Sequence, residues 1–288
     1  MQLASWAGDR ATVALQYLLP KQALTVLMGK LAAAEGGAAT TAVIRWFIGR
    51  YGVNMLEAVQ PDAAAYRTFN EFFTRPLAKG ARPLTPGADL VCPVDGAISQ
   101  FGAIDGDQVF QAKGHRYSTT ALLGGDSALA AHFQGGHFAT LYLAPKDYHR
   151  IHMPCAGRLL RMIHVPGMLF SVNPATARGV PGLFARNERV VCVFEGDRGP
   201  WALVLVGATI VGSMATTWHG VVNALRPTHL RQWSYEDKKI ALAQGEEMGR
   251  FQLGSTVVLL FPSPRLAWNI AWAPGADIRM GQRMADWV

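Results

Sequence analysis

No stretch of about 18 consecutive apolar residues occurs in this 288-residue chain, although half of its residues are apolar. A transmembrane helix is therefore not expected. Cysteine is scarce: Cys92, Cys155 and Cys192 are odd in number, widely spaced and lack a CxxC pair. That argues against a disulfide framework or a structural zinc site, and fits a reducing compartment. Charged residues make up only 16% of the chain, and the excess of +7 is not gathered into a Lys/Arg-rich run or a basic stripe interleaved with aromatics. Nucleic acid is thus not an expected partner. A secretory leader is not expected either, because Asp9 interrupts the first ten residues and Pro20 and Lys21 break the apolar run that follows. Internal repeats and low-complexity tracts are absent from the sequence.

What is present is basic and greasy at once, a combination that points to an anionic membrane surface. Ala11–Leu31 and Thr40–Leu56 are rich in helix formers with apolar residues at helical spacing. In the second segment Val43, Ile44, Phe47, Ile48 and Tyr51 form one broad stripe that excludes Arg45 and Arg50. Gly36 and Gly37 mark the break between two helices. The pair reads either as a hairpin packed on its own domain or as an interfacial element whose basic residues meet lipid headgroups.

From about Ala81 short β-type runs alternate with Gly, Pro and Asp, as in Ala97–Phe101, Phe138–Leu143, Arg189–Phe194, Trp201–Val206 and Thr256–Phe261. The expected fold is α+β: N-terminal amphipathic helices over residues 1–68, then a mostly antiparallel β domain over 69–288, a sandwich or partly closed barrel.

Four clusters carry candidate chemistry. Asp95 lies in Pro93-Val94-Asp95-Gly96, a turn that opens a strand. His149 and His152 are three apart in Tyr148-His149-Arg150-Ile151-His152. No HExxH motif or cysteine cluster supplies a third ligand, so a proton-transfer pair is preferred to a metal site. Gly254-Ser255-Thr256 precedes the apolar run Val257–Phe261. As structure it is a turn feeding a strand; as chemistry, the carbonyl of the glycine is open to attack by the serine hydroxyl. The fourth, Phe69 to Leu77, is read as packing between helices and sheet.

Taken in order, FNEFFTRPL at 69–77, PVDG at 93–96, KGHRYS at 113–118 and YHRIHMP at 148–154 resemble the bacterial phosphatidylserine decarboxylase family. VPGMLFSVNP at 165–174, LFARNERV at 183–190, VGATIVGS at 206–213 and EEMGRFQLGST at 246–256 extend that resemblance to nearly everything from Phe69 to Phe261.

The resemblance implies self-cleavage between Gly254 and Ser255, leaving chains 1–254 and 255–288 and a pyruvoyl cofactor made from Ser255. Asp95 matches the acid and His152 the base of the cleavage triad, with Asp95 holding His152. His149 matches the histidine of the decarboxylation step. The implied partner is phosphatidylserine in an anionic membrane surface, approached from the cytoplasmic face by a peripheral enzyme. The implied assembly is a heterodimer of the two cleaved chains, further paired as a homodimer. No metal is required. Arg75, Lys113 and Arg186 are cations within matching motifs, and the sequence does not decide whether any of them meets the lipid phosphate or only supports the fold. Two readings from other classes compete: a serine hydrolase or acyltransferase using the same three residues, and a non-catalytic membrane module. The first lacks a GxSxG elbow around Ser255, and the second leaves both histidines without a role.

Overall fold

The structure, a computed structural model, describes residues 16, 20–209, 213–223, 227–252, 255–262 and 265–288. Helix α1 (Lys21–Ala33) and helix α2 (Ala38–Tyr51) form the expected pair. Part of the first expected segment, residues 11–15 and 17–19, lies outside the described residues. Helix α2 stops five residues short of the expected Leu56, because Gly52 takes the left-handed conformation (φ +69°) and its N–H caps the Ile48 carbonyl at 2.9 Å. Helix α3 (Phe69–Phe73) follows, started by the Thr68 hydroxyl accepting from the Glu71 N–H at 3.1 Å.

In chain order the strands are β1 (Leu90–Val91), β2 (Gly96–Ala103), β3 (Gln108–Ala112), β4 (His115–Ser118), β5 (His137–Leu143) and β6 (Arg150–His152). Then come β7 (Gly157–Val165), β8 (Arg189–Gly196), β9 (Gly199–Val206), β10 (Met214–Thr216), β11 (Gly220–Val221) and β12 (Arg231–Ser234). The last six are β13 (Ala241–Leu242), β14 (Glu247–Phe251), β15 (Ser255–Phe261), β16 (Leu266–Trp268), β17 (Asp277–Ile278) and β18 (Arg283–Trp287). Each of the five strand runs read from the sequence falls inside one of these.

The main sheet runs β12-β7-β8-β9-β15-β5-β2-β17, with β13 also paired to β7, and every ladder in it is antiparallel. Its two ends do not meet among the described residues, so the sheet is open rather than a closed barrel. Alternate residues of β15 feed different cores: Val257, Leu259 and Phe261 point to one, Val258 and Leu260 to the other. The first core is completed by the small sheets, through Ile151, Met214, Met248 and Met284. The second is completed by residues of the short helices and loops, through Leu122, Phe170 and Phe184. Burial on both faces accounts for uninterrupted apolar runs where a half-exposed sheet would alternate.

A third core packs α2 against α3, with Ile44, Val53, Tyr66, Phe72 and Phe73 buried together. Phe47 meets Phe69, Phe72 and Phe73 edge-on at centroid distances of 5.1, 5.9 and 6.1 Å. The expected stripe on α2 is therefore divided: Ile44, Phe47 and Ile48 turn inward, whereas Val43 and Tyr51 are exposed.

Candidate active site

The site forms where one end of the main sheet meets the strand pair β6–β14. Strand β15 begins at Ser255, opposite Leu143 at the end of β5, and its next residue, Thr256, pairs with both Tyr142 and Val206. Past Leu143 the chain turns, with the Asp147 carboxylate accepting from the Ala144 N–H at 2.7 Å, and enters the histidine motif. From the other direction β14 runs antiparallel to β6 and ends where the Phe251 N–H donates to the His149 carbonyl at 3.0 Å. The chain from Phe251 to Ser255 thus spans from His149 back to Leu143. Gly254, the other half of the expected scissile bond, lies outside the described residues.

Asp95 arrives from β2. Its neighbour Gly96 packs so tightly on β5 that a Cβ there would lie 2.2 Å from the Tyr142 carbonyl oxygen. Only glycine brings this turn so close. The peptide chain also links the turn to β6, through the His152 N–H and the Pro93 carbonyl at 2.9 Å.

The side chains depart from the expected triad. His152 does not hydrogen-bond to Asp95. Its Nδ1 donates to the Gly245 carbonyl at 2.8 Å, and its Nε2 lies 3.0 Å from the Tyr148 hydroxyl. A carbonyl only accepts, so Nδ1 carries the proton and Nε2 presents the lone pair, which receives the tyrosine O–H. Burial depresses the His152 pKa, opposed by the Gly245 hydrogen bond and by the charges of Glu247 and Asp95. Asp95 therefore acts on this imidazole through its field rather than through a bond.

The carboxylate of Asp95 belongs to Arg82. The Arg82 Nε lies 2.9 and 3.0 Å from its two oxygens and Nη2 lies 2.5 Å from Oδ2, while the Met280 N–H donates to Oδ1 at 2.8 Å. Arg82 also holds Glu57 at 2.7 Å, and Arg279 joins Glu57 at 3.3 Å. The Arg82 pKa is raised, chiefly by its hydrogen bonds to Asp95, and that of Glu57 is lowered, chiefly by its hydrogen bond to Arg82. This partly buried lattice draws on both sides of residue 69, where the sequence suggested a division.

His149 is fully buried. Its Nδ1 donates to the Asp147 carbonyl at 2.8 Å, and its ring lies 4.0 Å from that of Phe73. Among the described residues its Nε2 has no hydrogen-bond partner. Burial pushes the pKa down to about 3, and the nearby Arg75 cation pushes the same way. Burial also raises the Asp147 carboxyl to about 6. Helix α3 is fastened to these strands by Arg150, whose Nε donates to the Thr74 carbonyl at 2.8 Å and whose Nη1 meets Glu247 at 2.7 Å.

The structure thus brings Asp95, His149, His152 and the start of β15 to one end of the sheet. Sequence reasoning missed Arg82 and the Met280 N–H, which belong to no recognisable motif, and gave no role to Tyr148 although it opens the histidine motif. Among the described residues no group of three or more His, Cys, Asp or Glu is arranged to hold a metal.

The family model described as "Phosphatidylserine decarboxylase" matches residues 69–286, most of the chain and all of this site. The chain belongs to the phosphatidylserine decarboxylase family. A second model, described as PSD, matches residues 11–52. A protein of Azoarcus sp. (strain BH72) named "Phosphatidylserine decarboxylase proenzyme" is 72% identical over 279 residues, covering 97% of this chain and 96% of its own. Proteins of the same name from Albidiferax ferrireducens and Dechloromonas aromatica are 69% and 67% identical, covering 96% and 97% of this chain and 97% and 99% of their own. Membership in the phosphatidylserine decarboxylase family makes the chain an enzyme of the decarboxylase class. The non-catalytic reading and the hydrolase reading both end here.

Proposed function

We propose that the chain cuts itself before Ser255, caps residues 255–288 with a pyruvoyl group, and then converts phosphatidylserine to phosphatidylethanolamine and carbon dioxide. The observation that carries this reading is the company Ser255 keeps. It opens a central strand in register opposite Leu143, at the end of the sheet where the chain turns into the histidine motif.

In the first reaction His152 Nε2, the basic nitrogen of a neutral ring, takes the Ser255 hydroxyl proton once Tyr148 releases it. The oxygen attacks the carbonyl of residue 254, and the peptide bond becomes an ester. Loss of the Cα proton then breaks the Cβ–O bond and frees residues 1–254 with a carboxylate end. The enamine left at residue 255 shifts to its imine, water hydrolyses that C=N bond to a ketone, and ammonia leaves. Asp95, fixed by Arg82, contributes a negative field that favours the transient imidazolium. The two chains stay together afterwards, because β15 is held on both edges, β17 by β2 and β18 by β1.

A pyruvoyl group at residue 255 would supply an electron sink for the charge left when carbon dioxide departs. His149 does the proton work of the second reaction. Neutral at rest, its Nε2 accepts the proton that the substrate ammonium must lose and returns it to the substrate carbon that has lost the carboxylate.

The helices before residue 69 complete the reading as the membrane-associating region, with 69–288 as the catalytic domain. No described helix is long and apolar enough to cross a bilayer. Yet Leu27 is 54% and Trp46 61% exposed, close in sequence to Lys30, Arg45 and Arg50. That composition suits a peripheral protein on the anionic, cytoplasmic face of the cell membrane. Replacing Leu27 and Trp46 with Gln is expected to weaken sedimentation with phosphatidylserine vesicles, and unchanged binding removes the membrane role. The family resemblance further implies a homodimer of the two-chain unit, which sedimentation of the cleaved protein tests.

Intact mass spectrometry tests the whole reading. Wild type is expected as residues 1–254 and residues 255–288, the latter lighter by one ammonia than a serine terminus requires, while Ser255→Ala stays whole. A wild type that remains one chain after incubation with anionic lipid ends the proposal.

A further inference from the structure

Beside Tyr148 lies a cavity of about 230 Å³ whose wall carries the cations Arg75, Arg82, Lys146 and Arg279 and the carboxylates Glu57, Asp95, Asp147 and Asp277. Its cations differ in what they are already doing. Arg82 is occupied by Asp95 and Glu57, and Arg279 by Glu57. Lys146 is exposed to solvent. Arg75 is only 3% exposed and forms no ion pair among the described residues. Among the described residues its Nη2 makes one long hydrogen bond, 3.4 Å to the Lys146 carbonyl, and its Nε has no partner. Beyond that it has the Phe72 ring at 5.4 Å and, without a direct bond to any of them, the charges of Asp95, Asp147 and Glu57. A guanidinium so deeply buried with so few acceptors is costly unless an anion joins it.

Arg75 is also near the chemistry. It follows Phe73 and Thr74, and Phe73 packs on His149. Its long hydrogen bond ends on the same turn that delivers His149, and its charge is felt by that imidazole.

We infer that Arg75 receives the phosphodiester of the lipid headgroup; this rests on the substrate assigned above. Of the two anions on that headgroup, the carboxylate is the wrong partner. Its charge disperses as carbon dioxide leaves, so an arginine on it would stabilise the substrate more than the transition state. The phosphodiester keeps its charge throughout, and its oxygens match the forked donors of a guanidinium. Binding of that kind is uniform along the reaction and governs KM rather than kcat.

The test uses the full chain after self-cleavage, with carbon dioxide release from phosphatidylserine in mixed micelles as the assay. Arg75→Gln is expected to raise KM roughly 10- to 100-fold with kcat changed only a few-fold, and Arg75→Lys to fall between. Glycerophosphoethanolamine, which carries the diester without acyl chains, is expected to inhibit wild type at least about tenfold better than Arg75→Gln. Inorganic phosphate at equal concentration is expected to inhibit less, marking a headgroup site rather than a free-phosphate site. An unchanged KM in cleaved Arg75→Gln overturns the assignment, as does equal inhibition of both proteins or phosphate matching the diester. Should Arg75→Gln fail to fold, wild type decides alone: its thermal midpoint must rise with glycerophosphoethanolamine, and no rise defeats the inference. Wild type that neither cleaves nor releases carbon dioxide defeats the earlier reading instead.

Discussion

The two imidazoles of the histidine motif, three residues apart and alike in sequence, live in different surroundings. His152 is bonded at both nitrogens, by the Gly245 carbonyl and the Tyr148 hydroxyl, and stands within the field of Asp95. His149 is bonded at one nitrogen, roofed by Phe73 and exposed to the repulsion of Arg75. The first surroundings suit a base whose charged form is tolerated for a moment. The second suit a ring that stays neutral until the substrate brings a proton. Identical side chains are thus set to two tasks by the carbonyls, rings and charges that the fold places around them.

The sharpest way to break that comparison is to exchange the losses. His152→Ala is expected to slow self-cleavage by roughly 10²- to 10⁴-fold, the range for removing a general base. His149→Ala is expected to cleave and then fail at decarboxylation by a similar factor. Gel analysis of cleavage alongside carbon dioxide release separates the two, and a variant pair that fails at the same step denies the division of labour.

Arg82 tests whether the field of Asp95 depends on its clamp. Arg82→Met leaves the buried carboxylate of Asp95 without its ion-pair partner and is expected to cost about 3–5 kcal/mol of stability. Denaturant unfolding of the variant in the uncleavable Ser255→Ala background measures this, and a cost below about 1 kcal/mol would place the network outside the stability of the site.

A smaller effect concerns acid. A histidine near 6.5 when unfolded but near 3 when folded binds its proton first in the unfolded chain, so stability falls as pH drops between those values. The slope contributed is about 1.4 kcal/mol per pH unit. Asp147 works against it, because its folded pKa near 6 exceeds its ordinary 3.8 and the folded state gains the proton first in that window. The difference between wild type and His149→Asn isolates the histidine: it is expected to narrow by about 1.4 kcal/mol per unit on acidification from about 6.5. A difference independent of pH would mean that His149 is not desolvated in solution.

Much of the fold was legible in the sequence. The runs Arg189–Phe194, Trp201–Val206 and Thr256–Phe261 are bounded by turn residues and too apolar for anything but buried strands, and they form adjacent central strands. The end of α2 was misjudged because Gly52 looks like any glycine until its backbone turns left-handed. The site was legible as a set of residues and not as a set of bonds. Asp95, His149, His152 and Ser255 stood out in motifs, yet the expected Asp95–His152 bond gave way to Arg82, a residue in an unremarkable stretch.

By itself the sequence determined the family, the strands that make the main sheet and the titratable groups available to the site, because motifs and apolar runs are local properties. Only the tertiary structure decided which group each of them faces. Gly245 reaches His152 across 93 residues of chain and Met280 reaches Asp95 across 185. Hydrogen-bond partners and desolvation depend on what lies nearby in space, and for these residues the nearest neighbours in space are remote in sequence.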